Sequence, residues 1–574
     1  MGTTPELRLL LALPLLAALT SCIGKLEGSG AGQPTSSGGP RAPGAGAAGS
    51  GGVALPPDTQ PAALLPTRIR RLTNAEFENS VKDVVGNTDP VTTGFVPDTR
   101  QSGFTLNDAQ RIDSVLIKQI SGAATILASQ VRAQLDTLAP CADPTTQGEA
   151  CATSFIQSFA TRAYRRPLGA DEVAQLVVLY HAGADAAAYA DGIQEVATGV
   201  LQSAAFLYLT ETGNAATGAT VALTPYEIAS EMSYILTAGP PSQSLIDAAT
   251  SGDLATPAGR SSAIDSLGLL TGGAARDRVV RVMREWLGTD QLEDTAKDTT
   301  VYPDFAGLKP AMVAETTDFI VDLVALGQGN RTVQELLGAD WTSTEDPNLL
   351  GLYEASSTRN AQNHYTLQTR RGILNQGAFL SVYAHANETG PVLRGVALLR
   401  RVTCIGVPSP ASLNITVVPL VPDPTKTTRQ RLTAHVTDPV CAQCHTSIDN
   451  FGLAFEIYDG MGKHQTEDQG QPIDSSVTIA QNSDFDGNYA DSNQLALALS
   501  TSTSVRECFA RNIFRGSAGN SDTDNQMSED DFIKFWNTQT NAATKGASFA
   551  GDGDIIDTIR AYITSPTFNI RRGQ

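Results

Sequence analysis

Thr73-Asn74-Ala75-Glu76-Phe77-Glu78-Asn79-Ser80-Val81-Lys82-Asp83-Val84-Val85 reads as a capped helix. The Thr73 hydroxyl and the Glu76 carboxylate satisfy the first orphan amides, and apolar residues then recur at helical spacing. The signature returns at Thr224-Pro225-Tyr226-Glu227, with threonine as cap, proline in the first turn and glutamate at the third position. Between them, Ala109 to Leu135 places Ile112, Val115, Leu116, Ile120 and Ile126 near one stripe, and Phe155, Ile156, Phe159 and Tyr164 repeat the spacing before Arg165-Arg166-Pro167-Leu168 interrupts it. Further helices are expected over Asp171–His181, Ile193–Tyr208, 258–270, 276–288, 309–326 and 331–338. Period-two alternation is confined to fragments such as Val477-Thr478-Ile479. The expected fold is mainly α, a multi-module helical protein with a disordered N-terminal tether and minor β content near the C-terminal third.

Organisation follows from breaks in the pattern. Residues 1–21 read as a lipoprotein signal peptide and 22–66 as a flexible Gly/Ser/Pro/Ala tether. Helical modules are expected at 67–145, 146–215 and 222–355, followed by a Cys-x-x-Cys-His module at 362–480 and a C-terminal helical module at 485–574.

The chain has 574 residues, 41% apolar and 17% charged, which is enough apolar material for large cores. Its 40 Lys plus Arg against 60 Asp plus Glu give net −20. No basic stripe stands out, so nucleic acid is not an expected partner.

The apolar run Leu9–Thr20 is shorter than the ~20 residues that span a bilayer, but it suits a signal-peptide core. Leu19-Thr20-Ser21-Cys22 resembles a lipobox, which implies cleavage before Cys22 and its acylation. The expected location is the bacterial cell envelope, lipid-anchored, at the outer membrane on its periplasmic or surface face. The membrane is then a partner through the lipid anchor.

Export sets the cysteine chemistry. With Cys22 given to lipid, six thiols remain in an oxidising space. Cys141 and Cys151 bracket a short loop and are expected to pair, as are Cys404 and Cys508. Cys441 and Cys444 remain, followed by His445. Two thiols three residues apart can add across two haem vinyl groups while the adjacent histidine ligates iron. Haem c is therefore the expected cofactor, with Cys441, Cys444 and His445 binding it. His435, just upstream, or Met461, in a Gly-Met-Gly turn, would complete the axial set. Two alternatives use the same atoms: a closed Cys441–Cys444 disulfide, or zinc with His435 or His464 as fourth ligand.

Several strings together resemble the tandem domains of unknown function of secreted planctomycete and myxobacterial proteins, found alongside planctomycete cytochrome c domains. They are Arg70-Arg71-Leu72-Thr73-Asn74-Ala75-Glu76-Phe77, Ala163-Tyr164-Arg165-Arg166-Pro167-Leu168, Gly372-Ile373-Leu374 with Pro391-Val392-Leu393-Arg394-Gly395, and Cys441-Ala442-Gln443-Cys444-His445 through Gly462. The resemblance runs from about residue 67 to the end and implies no established activity. It implies a recurrent histidine at His435. The chain departs from it at Asn450, where proline is usual, at Gly390 for serine, and at Lys463-His464 for an aromatic-arginine ending.

No GxSxG, HExxH, Walker A or EF-hand loop occurs. Gly44–Gly49 matches GxGxxG without a preceding strand, and Asp554 reads as a helix cap rather than a calcium ligand. Arg165-Arg166 reads as an ion pair, Trp286, Phe305 and Trp341 as core, and His181, His364 and His385 as structural. The functional expectation is a lipid-anchored envelope protein with a c-type haem module, acting in electron transfer or as the redox part of an oxidoreductase with a redox partner protein. Its alternative is a non-enzymatic surface or assembly lipoprotein.

Overall fold

The computed structural model describes residues 59–60, 63–185, 187–214, 219–326, 330–414, 423–519, 526–538 and 553–573, apart from the side chains of Ala434, His435 and Gln526. The leader, Cys22, the Gly44–Gly49 pattern and most of the tether lie outside the described residues. The tether expected over 22–66 ends earlier than its composition suggests, because Leu64 and Leu65 are buried.

The described chain is mainly helical, and its caps do what their side chains require. Thr73 and Thr224 each form a complete capping box, with Glu76 and Glu227 returning to the cap backbone. The long amphipathic helix is Ser114–Ala133, capped by Asp113. Its buried stripe runs through Leu116, Ile120, Ala124, Leu127 and Val131, while Val115 and Ile126 face solvent. Small alanines supply the contact surface there, which a count of large apolar residues overlooks. The helix Pro144–Tyr164 begins inside the segment expected as a loop, since Asp143 caps it and Pro144 suits the first turn. Cys151 therefore sits on a helix and is bonded to Cys141, and Cys404 is bonded to Cys508.

Two large apolar cores result. Phe77, Ile120, Phe155, Phe159, Val196 and Phe206 belong to the first, which draws on helices Asn74–Val85, Ser114–Ala133, Pro144–Tyr164 and Tyr189–Gln202. The second runs from Leu65 to Phe568 and joins Pro225–Thr237, Gly273–Leu287, Pro439–Leu453, Thr503–Ala518 and Ile555–Ile563. A smaller cluster holds Tyr302, Phe305, Met312, Tyr353 and Met461. Trp286, Phe305 and Trp341 are buried as expected.

The named strands pair in two-stranded antiparallel ladders. One is Val477–Ile479 with Gly487–Tyr489, near the expected place. Ile570–Arg572, also in the C-terminal third, pairs with Thr220–Ala222, while Arg68–Arg71 with Tyr208–Glu211 lies outside it. Buried arginines on these strands hide the alternation that would have announced them. Arg68 Nε donates to Glu211 Oε1 at 2.7 Å and Arg571 Nε to Glu211 Oε2 at 2.6 Å, so one carboxylate ties the first and last strands together.

Arginine clamps recur in the strings noted above. Arg165 is buried and donates to the carbonyls of Ala205, Phe206 and Tyr208, which corrects its reading as an ion pair. Arg166 does pair with Glu172, through two bonds of 2.8 Å. Asp554 caps Ile555–Ile563 and also receives Arg331 Nε at 2.9 Å.

Candidate functional site

The Cys-x-x-Cys-His element lies on the helix Pro439–Leu453. Asp438 starts it, accepting from Val440 N at 2.7 Å and Cys441 N at 3.3 Å, and Pro439 fills the first turn without a wasted donor. Cys441, Cys444 and His445 then stand at i, i+3 and i+4 and share one face. Both thiols are unpaired and half-buried, and Cys444 packs against the second core. Helical i, i+3 side chains have Cβ atoms about 5–6 Å apart, whereas a disulfide needs about 3.5–4.5 Å. In this structure the two sulfurs are not bonded to each other.

His445 Nδ1 lies 2.9 Å from Oδ1 of the buried Asp449, one turn on. This is the arrangement that fixes tautomer and ring orientation in ligating histidines. Val436 and Val440 are exposed beside the first turn.

The helix is held from below by the helix Pro391–Ala397. Gly395 stands against the Ile448 carbonyl and Gly452 against the Pro391 carbonyl, each so close that a Cβ would overlap the oxygen. Arg394 is fully buried and donates to Phe455 O at 3.0 Å, Tyr458 O at 3.2 Å, Leu380 O at 3.3 Å and Asp459 O at 2.8 Å. It thereby clamps the chain leaving the Cys-x-x-Cys-His helix. Burial pushes Glu456 up to about 7, although Arg394 lies 3.8 Å away and Thr389 donates at 3.0 Å. Farther on, Arg370 is stacked between Tyr353 and Tyr458, 3.9 and 4.5 Å from their ring centres, and Nη2 donates to Gly462 O at 2.6 Å.

Asn450, the residue in place of the usual proline, donates from Nδ2 to Thr478 O at 3.1 Å and ties the helix to the Val477–Ile479 ladder. On that flank lies an open cleft of about 650 Å³, lined in part by Arg429, Asn450, Thr478, Asn488, Tyr489 and Gln494.

The structure brings Cys441, Cys444 and His445 together but not every residue proposed to serve them. Met461 is buried in the cluster with Tyr302, Met312 and Tyr353, apart from the core that Cys444 joins. His435 is on the helix Thr428–Thr437, which packs against Pro439–Leu453, and its side chain lies outside the described residues. His464 sits 6.2 Å, ring to ring, from Tyr458. Among the described residues no three His, Cys, Asp or Glu side chains converge in a metal-holding group. Sequence reading missed Asp449 and Arg394; the i+4 spacing of Asp449 from His445 was the available signal for the first.

Four family models match the chain in succession, each described as a protein of unknown function: DUF1587 at residues 70–133, DUF1595 at 151–211, DUF1592 at 223–354 and DUF1588 at 370–468. No curated protein and no solved structure matches it. The last of the four contains the Cys-x-x-Cys-His helix and both of its clamping glycines. By the order and identity of these matches, the chain belongs to the proteins built from the tandem, planctomycete cytochrome c-associated domains of unknown function.

Proposed function

We propose that Cys441 and Cys444 attach a c-type haem with His445 as its proximal ligand. In this reading the chain is a lipid-anchored envelope protein that passes electrons or forms the redox part of an oxidoreductase. The observation that carries it is the helical display of two unpaired thiols beside a histidine whose Nδ1 is committed to Asp449. Each thiol adds its S–H across one vinyl group, forming a carbon–sulfur bond and passing its hydrogen to the neighbouring carbon. When bound, the group supplies one-electron transfer at an iron tuned by its axial ligands and burial.

The residues of the chain do the rest. Asp438 and Pro439 start the helix where both thiols emerge on one face. With Asp449 beside Nδ1, His445 would hold the iron through its other ring nitrogen. Gly395, Gly452 and Arg394 fix the helix on its support, and the exposed Val436 and Val440 offer apolar surface beside the thiols. His435, on the adjoining helix, would supply the second protein ligand. Acylated Cys22 would tether the chain to the outer membrane, leaving the half-exposed thiol face accessible to a redox partner protein.

Haem staining after denaturing electrophoresis tests the assignment. Protein exported from a host with working haem-attachment machinery is expected to stain at full length, and Cys441→Ala with Cys444→Ala to abolish the stain. An unstained wild-type band contradicts it.

A further inference from the structure

The open cleft beside Asn450 is polar in a particular way. Its volume of about 650 Å³ is within the range of small-molecule sites, about 300–1,000 Å³. The chain carries net −20, yet no carboxylate lines this cleft. What lines it are side chains that have already been anchored at one end. The Asn488 Oδ1 receives the Thr478 hydroxyl at 2.7 Å, so its amide nitrogen is turned the other way. Gln494 Oε1 accepts from Ala490 N at 2.9 Å, which likewise leaves an NH2 group to donate. Asn450 spends its Nδ2 on Thr478 O and keeps its carbonyl oxygen as an acceptor. Arg429 is locked through Nε to Asp474 O and Nη2 to Ser476 O, both 2.7 Å, so its Nη1 remains as a donor. Tyr489 has its hydroxyl tied to Phe485 O at 2.7 Å and contributes ring surface to the cleft.

We infer that this cleft binds a saccharide. Vicinal hydroxyls each donate and accept, and they match a lining that offers amide donors and a carbonyl acceptor. A single aromatic ring suits the C–H edge of a sugar. Preorganisation matters because each polar group is immobilised before the ligand arrives, so little side-chain freedom is lost on binding. The inference is independent of haem attachment, since none of the lining groups is a thiol or His445.

Affinity electrophoresis of the full chain through gels cast with hydroxyethyl cellulose, laminarin, galactan or polygalacturonate tests it, with serum albumin as the mobility reference. Retardation by at least one polymer is expected, weakened about tenfold by Asn488→Ala and by Arg429→Met. Asn488 is exposed, so its variant is expected to keep the wild-type unfolding midpoint, which separates lost binding from lost folding. Mobility unaffected by all four polymers, or retardation that survives both substitutions, overturns the inference. Staining for haem is unaffected in either case, which keeps the two readings apart.

Discussion

Gly395 stands against the carbonyl oxygen of Ile448 with no room for a side chain between them, and that contact seats the Cys-x-x-Cys-His helix. Gly452 repeats the arrangement against the Pro391 carbonyl one turn farther along. The obstacle in both cases is backbone, which cannot rotate away as a side chain can. The Pro-Val-Leu-Arg-Gly string therefore has a structural meaning: proline starts the supporting helix, arginine clamps the outgoing carbonyls and glycine admits the partner helix.

Gly395→Ala is accordingly expected to destabilise the fold by about 1–3 kcal/mol, the usual range for overpacking a tight interior contact. Urea unfolding followed by circular dichroism measures it. A control at Gly351, which has open space at its Cβ position, is expected to move far less. Equal effects at the two positions would remove Gly395 from its assigned role.

Stability should also depend on pH through three buried carboxyls. Burial pushes Glu315 and Glu456 up to about 7, and burial together with the neighbouring Glu211 does the same to Glu231. Glu315 accepts only neutral donors, Tyr353 Oη at 2.6 Å and Thr342 Oγ1 at 2.8 Å. A carboxyl raised in the folded state holds its proton more tightly there than in the unfolded chain. Its contribution is full below about 4.5 and is lost as pH rises through about 7. Unfolding midpoints are expected to fall from pH 5 to pH 8. Glu315→Gln should flatten that slope by roughly 1–3 kcal/mol. A slope unchanged by the substitution would show that Glu315 does not contribute to it.

The two disulfides differ in the chain they enclose. Cys141–Cys151 closes a separation of 10 residues and Cys404–Cys508 one of 104. Loop-closure entropy assigns them about 3 and about 5 kcal/mol. Paired Cys→Ser replacements, compared by thermal unfolding, are expected to rank in that order. The reverse ranking would place the main effect in native packing instead.

How much of this was legible beforehand depended on whether a feature leaves a local trace. The boxes at Thr73–Glu76 and Thr224–Glu227 were readable because caps act within four residues. Both disulfides followed from counting thiols. Arg165 and Arg394 were not readable in the same way, since nothing local distinguishes an arginine that clamps distant carbonyls from one in a surface pair. The strand Arg68–Arg71 was hidden for the same reason: its partner lies at Tyr208–Glu211, and buried charge replaced the apolar alternation. At the site, the face shared by Cys441, Cys444 and His445 follows from helix periodicity. Which core Met461 enters was not readable, because proximity in sequence does not decide it.

Intact mass spectrometry of the full chain, exported with functional haem-attachment machinery and denatured before injection, reads whether haem is held covalently by Cys441 and Cys444. One haem is expected, added covalently through Cys441 and Cys444, with Cys141–Cys151 and Cys404–Cys508 as disulfides. A protein lacking that added mass, with Cys441 and Cys444 joined to each other, would contradict it.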